Sequence, residues 1–83
     1  MKIVEEGGPS AATAQAAIDA LVAADQTLAQ TAIDKAIAAG GDQRKINMAL
    51  GNMAKAQEEL DKGRPDKAIE RFKKAWENAQ KAL

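Results

Sequence analysis

The sequence contains no cysteine and no histidine, and these two absences remove much of the chemistry open to a small protein. Without cysteine there is no disulfide framework and no thiolate chemistry. Without histidine the chain lacks the commonest metal ligand and the commonest general base. We therefore expect a protein that is not an enzyme and that binds no metal ion and no cofactor.

Aromatic residues and net charge are also scarce. Phe72 and Trp76 are the only aromatic residues, and the 12 basic and 12 acidic residues cancel. No overall field therefore favours a nucleic acid or an anionic membrane as a partner. The apolar runs are far shorter than the roughly 20 residues of a membrane-spanning helix, and the first residues lack the apolar segment of a signal peptide. We expect no nucleic-acid partner and no membrane insertion.

The charges are nevertheless divided unevenly along the chain. Residues 1–42 contain two basic and six acidic residues, a net charge of −4, whereas residues 43–83 contain ten basic and six acidic residues, a net charge of +4. The two halves should attract each other when they fold together, although an exposed ion pair contributes only about 0–1 kcal/mol.

Alanine is abundant, with 20 of the 83 residues. Because alanine has the highest helix propensity and β-branched residues are few, the composition predicts an all-α protein. Glycine and proline mark the boundaries of three helices, over residues 10–39, 43–62 and 65–83. Short turns join consecutive helices, so we expect an antiparallel up-down-up three-helix bundle.

The helix ends carry residues suited to them. Ser10 as N-cap, or Pro9 at the first helical position, is expected to begin the first helix, and Gly40-Gly41 is expected to end it. Asp42 is the expected N-cap of the second helix. Pro65 is expected at the first position of the third helix.

The apolar residues of each helix recur at helical spacing, so each helix should bury one stripe in a common core. Glu58 and Glu59 are expected to face solvent on the opposite side of the second helix. The predicted core comprises Ile18, Leu21, Leu28, Ile46, Met53, Leu60, Ile69, Phe72 and Trp76.

Asp25 interrupts the stripe of the first helix, because it falls between Leu21 and Leu28 where an apolar residue is expected. A buried lone carboxylate costs several kcal/mol. We therefore expect a structural contact with a basic side chain, with a backbone amide or with the indole N–H of Trp76. The alternative is a ligand or metal carboxylate at the centre of a small enzyme or metal carrier. No second acid shares this helix face, so paired-carboxylate chemistry has no support.

A basic cluster on the third helix is interpreted as a solvated surface. Acidic residues interleave with it, and aromatic side chains that could stack on bases are absent from its face. The cluster comprises Lys67, Arg71, Lys73, Lys74 and Lys81.

The spacing Gly63-x4-Ala68-x3-Phe72-x2-Ala75 resembles the second half of a tetratricopeptide repeat. Upstream, Lys55 and Glu59 stand where that repeat has Leu and Tyr, and no period of roughly 34 residues links the first helix to the rest. The resemblance implies one helical hairpin and not a repeat array.

Three short motifs carry a second resemblance, which extends over residues 21–83. They are A-D-x-x-L-A at residues 24–29, A-x-x-E-L-x-K-G at residues 56–63 and K-A-I-x-x-F-K-x-A-W at residues 67–76. This part of the chain is similar to helical modules at the C-terminal ends of long secreted bacterial proteins. The resemblance implies an accessory tail, and it supplies no catalytic residue.

These features together favour a non-catalytic accessory module, which serves as a C-terminal spacer or protein-interaction domain of a larger, exported protein at the cell surface or outside the cell. Residues 10–83 are then the bundle, and residues 1–9 are a flexible tail or the remnant of a preceding domain. The expected partner is another domain of the same chain or another protein. The alternative is a structural unit that forms a homo-oligomer through its first helix.

Overall fold

The computed structural model describes the backbone of residues 7–83 and the side chains of residues 15–83. Three helices follow one another: α1 (Gly7–Ala38), α2 (Gln43–Asp61) and α3 (Pro65–Ala82). The described residues contain no strand, and the helices pack on one another. The predicted all-α three-helix bundle is confirmed.

The start of α1 differs from the predicted one. The helix begins at Gly7 rather than at residue 10, so Ser10 and Pro9 lie inside it. Pro9 is tolerated there because the first four N–H groups of a helix have no intrahelical acceptor, so the missing N–H costs no hydrogen bond. Residues 7–9 of the predicted tail are therefore helical, and residues 1–6 lie outside the described residues.

Both turns follow the same local geometry, in which a glycine of positive φ ends the preceding helix. Gly40 has φ 67° and Gly63 has φ 74°. After α1, the Gly41 N–H donates to the Ala36 carbonyl at 2.8 Å, and after α2 the Arg64 N–H donates to the Glu59 carbonyl at 2.8 Å. Both bonds satisfy carbonyls that the helix end leaves free, as in a Schellman motif. The helices therefore end at Ala38 and Asp61, one residue before the predicted ends.

The starts of α2 and α3 agree with the expected caps. The Asp42 carboxylate accepts a hydrogen bond of 2.9 Å from the Arg44 N–H, as an N-cap should. Pro65 occupies the first position of α3, and Asp66 lies in its first turn, close to the positive end of the helix dipole.

The third helix is the central element of the packing. It makes extensive contacts with both α1 and α2, whereas α1 and α2 make few contacts with each other. The C-terminal end of α3 lies beside the first turn, because the Asp42 N–H donates to the Ala82 carbonyl at 2.9 Å. From that end, α3 extends about 27 Å and the 32-residue α1 about 48 Å. The N-terminal part of α1 therefore projects beyond α3, and we name residues 7–17 the α1 extension.

The core is built mainly from alanine. Phe72 and Ile33 are its only large, fully buried side chains among residues 15–83. Such small side chains let helix axes approach closely, but they bury little apolar area for each residue. The main cluster comprises Ala29, Ala32, Ile33, Ala49, Ala56, Ala68, Phe72, Ala75 and Ala79.

Three of the nine predicted core residues lie at the surface, and for these the prediction is wrong. Leu21 is 56% exposed, Leu28 is 58% exposed and Trp76 is 42% exposed. The physical reason is the close approach of the helices. At 100° per residue, the alanine side of α1 faces α3, and both leucines fall on the flank of that side. The indole of Trp76 is too large for an alanine-lined contact, so it lies at the edge.

The other six predicted core residues are buried or half-buried. Phe72 belongs to the main cluster, and Ile46 is buried with Ala36 and Ala82 in a smaller one. Met53 and Leu60 pack against the main cluster from partly buried positions. Ile18 and Ile69 are half-buried.

Candidate functional site

A groove of about 260 Å³ runs between α1 and α3. We name it the α1–α3 groove. Phe72 closes its floor, where it is 1% exposed, and Leu28 and Trp76 form apolar walls that remain open to solvent. Asp25 and Lys73 complete the lining, so an apolar surface carries one carboxylate and one ammonium group.

Helical spacing explains why these five side chains meet. Asp25 and Leu28 are three residues apart on α1, and Phe72 and Trp76 are four residues apart on α3, so each pair lies on one helix face. Lys73 follows Phe72 and lies on the outer side of the same helix. Because α1 and α3 are parallel and in contact, the two faces border a single groove.

Asp25 lies in the groove without the predicted hydrogen bond. It is half-buried, and within residues 15–83 no hydrogen bond of its carboxylate to the indole, to a backbone amide or to a basic side chain is found. Its position at the groove edge leaves one side open to water, which removes the need for an internal partner. Asp25 is therefore only partly buried, and among residues 15–83 it makes none of the predicted hydrogen bonds.

A second, smaller groove of about 100 Å³ lies on the side of α3 that faces α2. The basic residues Lys67, Arg71 and Lys74 line it together with Glu59 and Glu70. Because two acids stand among three bases, the groove has little net charge. Its charges do not favour an anionic ligand.

Glu59 is more buried than the sequence pattern indicates. Its side chain is only 17% exposed, although solvent exposure was expected. Its Oε1 lies 3.6 Å from Nε of Arg64, which is near enough for an ion pair and too long for a hydrogen bond. Among the described residues this oxygen has no hydrogen-bond partner. The signal was available in the sequence, since Arg64 follows the glycine turn that brings the chain back toward Glu59.

One polar contact between helices has no clear signal in the sequence. The Asn52 side-chain amide on α2 donates a hydrogen bond of 2.9 Å to Oδ1 of Asn78 on α3, in a partly buried position. Asparagine is an unremarkable surface residue in both helices. Only the register of α2 against α3 brings these two residues together.

The described residues hold neither a metal-binding cluster nor a membrane-spanning helix. Within the described residues, no three side chains of His, Cys, Asp or Glu come together as a metal site would require. None of the described helices combines the length and the apolar character that crossing a bilayer requires. The α1–α3 groove, with its buried floor and its apolar walls, is therefore the candidate site.

Comparisons with protein-family models, with curated proteins and with solved structures give no match to this chain.

Proposed function

We propose that this protein is a non-catalytic helical module that acts through protein–protein contact at the α1–α3 groove. The observation that carries the proposal is the exposure of Leu28 and Trp76 beside a buried Phe72. Each large apolar side chain removed from water contributes about 1.5–3 kcal/mol. A partner that covered the groove would therefore gain binding energy from residues that the isolated fold leaves in water.

The composition of the groove supports a protein partner rather than a reaction. A catalytic site generally needs a nucleophile, an acid–base group or a metal ion placed beside the substrate. The groove offers one carboxylate and one ammonium group around apolar walls. Aromatic and aliphatic anchors with a few charges at the rim are typical of protein interfaces.

The resemblance to C-terminal modules of secreted bacterial proteins supports a placement at the end of a longer, exported chain. In that setting the module is a spacer or interaction domain for the domains that precede it. Mass spectrometry of the native gene product tests this placement. A mature polypeptide of 83 residues would contradict it.

A site-specific crosslink tests the interaction function itself. A photo-crosslinking amino acid replaces Leu28 in the native gene product, and the matched control carries it in place of Leu50, which is also exposed but lies on α2. We expect a protein adduct at position 28 and none at position 50, with mass spectrometry identifying the captured chain. Equal labelling at the two positions would show that the groove has no dedicated partner.

A self-assembling structural unit is the second candidate, and the α1 extension favours it. Ala16 and Ala17 at the C-terminal end of the extension are exposed, and so is Leu21 one turn further along α1. A helix of this kind derives most of its stability from packing, and α3 does not reach the extension. Another protein surface could supply that packing.

A further inference from the structure

The two charged groups of the α1–α3 groove are not paired with each other. Asp25 and Lys73 both line it, yet within residues 15–83 the only ion pair within 4 Å joins Arg64 and Glu59. Each charge is therefore available to an opposite charge on a molecule that enters the groove. The apolar walls would lower the local dielectric constant once water left, which strengthens such a pair.

Two leucines extend the apolar surface along α1. Leu21 and Leu28 are seven residues apart, which places them on nearly the same side of the helix, two turns apart. Both are more than half exposed. A spacing of seven residues suits the packing of two helices side by side, where apolar residues recur about every 3.5 residues. The surface thus fits a helix that lies along α1.

We propose that the occupant of the groove is α1 of a second copy of this chain, bound antiparallel about a two-fold axis near residues 24 and 25. In this arrangement Leu21 of each copy packs against the partner's Leu28, and Asp25 of each copy faces the partner's Lys73. The inference rests on the proposed function, since it names the partner of that interaction site.

Charge complementarity favours a second copy over an unrelated helix. A two-fold interface places the same patch on both subunits, so the patch must be complementary to itself. A patch with one acid and one base meets this condition, because the two Asp25 and the two Lys73 side chains then come together near the axis and their charges balance. The α1 extension adds reach, since it projects past α3 and can follow the neighbouring copy.

The net charge of α3 favours an acidic helix as the occupant of the groove. Every charged residue within residues 7–34 of α1 is acidic: Asp19, Asp25 and Asp34. The third helix has five basic and three acidic residues over residues 65–82. An acidic helix that lies along a basic one is attracted to it, and this attraction raises the association rate as well as the specificity.

Charge exchange between two variants tests the proposal. Lys73→Glu gives a groove with two acids, and Asp25→Lys gives a groove with two bases. We expect each variant alone to dimerise at least about tenfold more weakly than the wild type, because like charges then face each other. An equimolar mixture should regain wild-type affinity as a heterodimer, since every acid again faces a base. Sedimentation equilibrium from about 1 µM to about 1 mM covers the relevant range of dissociation constants.

The single Trp76 provides a second readout. Its indole is 42% exposed in the isolated fold, so dimerisation should shift its emission to shorter wavelength as the protein concentration rises.

Circular dichroism of each variant reports whether it folds. If Asp25→Lys does not fold, Leu28→Lys against Leu50→Lys decides the matter, because the first should abolish the dimer and the second should leave it intact.

Three results would overturn the proposal: a wild-type monomer throughout the range, a mixture that binds no better than its components, or a Leu28→Lys dimer as tight as that of Leu50→Lys. A wild-type monomer whose position-28 crosslink still captures another protein refutes only the second copy and leaves the interaction function in place. Absence of any adduct at position 28 refutes both.

Discussion

At the scale of single residues, Gly41 lies where the ends of all three helices meet. A Cβ atom at this position would lie 2.5 Å from the Ala82 carbonyl oxygen and 3.1 Å from the Ala36 carbonyl oxygen. Both contacts are to backbone, which cannot turn aside as a flexible side chain can. The hydrogen bond from the Asp42 N–H to Ala82 depends on the same close approach.

We expect Gly41→Ala to lower the free energy of unfolding by roughly 1–3 kcal/mol, through crowding and the loss of that hydrogen bond. The matched control is Gly51→Ala, because Gly51 lies inside α2 with nothing within 4 Å of the added atom. The control should raise stability by about 0.5–1 kcal/mol, since alanine favours helix over glycine. Urea denaturation measures both, and equal stabilities of the two variants would contradict the prediction.

Single residues also show how far the sequence predicts this fold. The ends marked by Asp42, Gly40, Gly63 and Pro65 are set by local backbone geometry and hydrogen bonding, so their types alone identify them. The burial of Leu28 and Trp76 is different. It depends on how closely α1 approaches α3, and no local sequence pattern determines the distance between the two helices.

At the scale of helices, the same limit explains the candidate site. Helical period predicts which residues share a face, and it places Asp25 with Leu28 and Phe72 with Trp76. It does not determine which edge of a broad apolar stripe is covered. Because alanine fills the contact between α1 and α3, the larger side chains border an open groove rather than a core.

The register of α2 against α3 brings Asn52 and Asn78 into a polar contact whose energy can be measured. The Asn52–Asn78 hydrogen bond is partly buried, so removing one partner leaves the other amide poorly satisfied. We expect Asn52→Ala and Asn78→Ala each to cost about 1 kcal/mol of unfolding free energy. The double variant should cost less than the sum of the two, with a coupling of about 0.5 kcal/mol or more.

An exposed hydrogen bond on a single helix serves as the control for that cycle. Gln30 donates to Asp34 at 3.0 Å across one turn of α1, where water competes fully. The coupling of Gln30→Ala with Asp34→Ala should stay within about 0.2–0.5 kcal/mol. A coupling of Asn52 with Asn78 no larger than this would mean that the contact between the helices is no stronger than an exposed one.

At the scale of the whole molecule, the chain has a small core for its length. Its fully buried side chains are mostly alanine, and the apolar area removed from water limits the stability of a small domain. The N-terminal part of α1 projects past α3, so α3 offers it no surface to pack on. An 83-residue chain with these properties should gain noticeably from a partner that covers the exposed leucines and the indole.

This gain should appear as a thermal midpoint that rises with protein concentration. Native chains dimerise and unfolded chains do not, so dimerisation stabilises the folded state by mass action. The gain is about 2.7 kcal/mol when the binding partner is at 100 times its dissociation constant. Calorimetry at several concentrations measures the midpoint. Lys73→Glu is the control, because Lys73 is exposed and its replacement should leave the monomer folded while it weakens association. The wild-type midpoint should rise more steeply with concentration than that of Lys73→Glu. A constant wild-type midpoint would show that the fold reaches its full stability as a single chain.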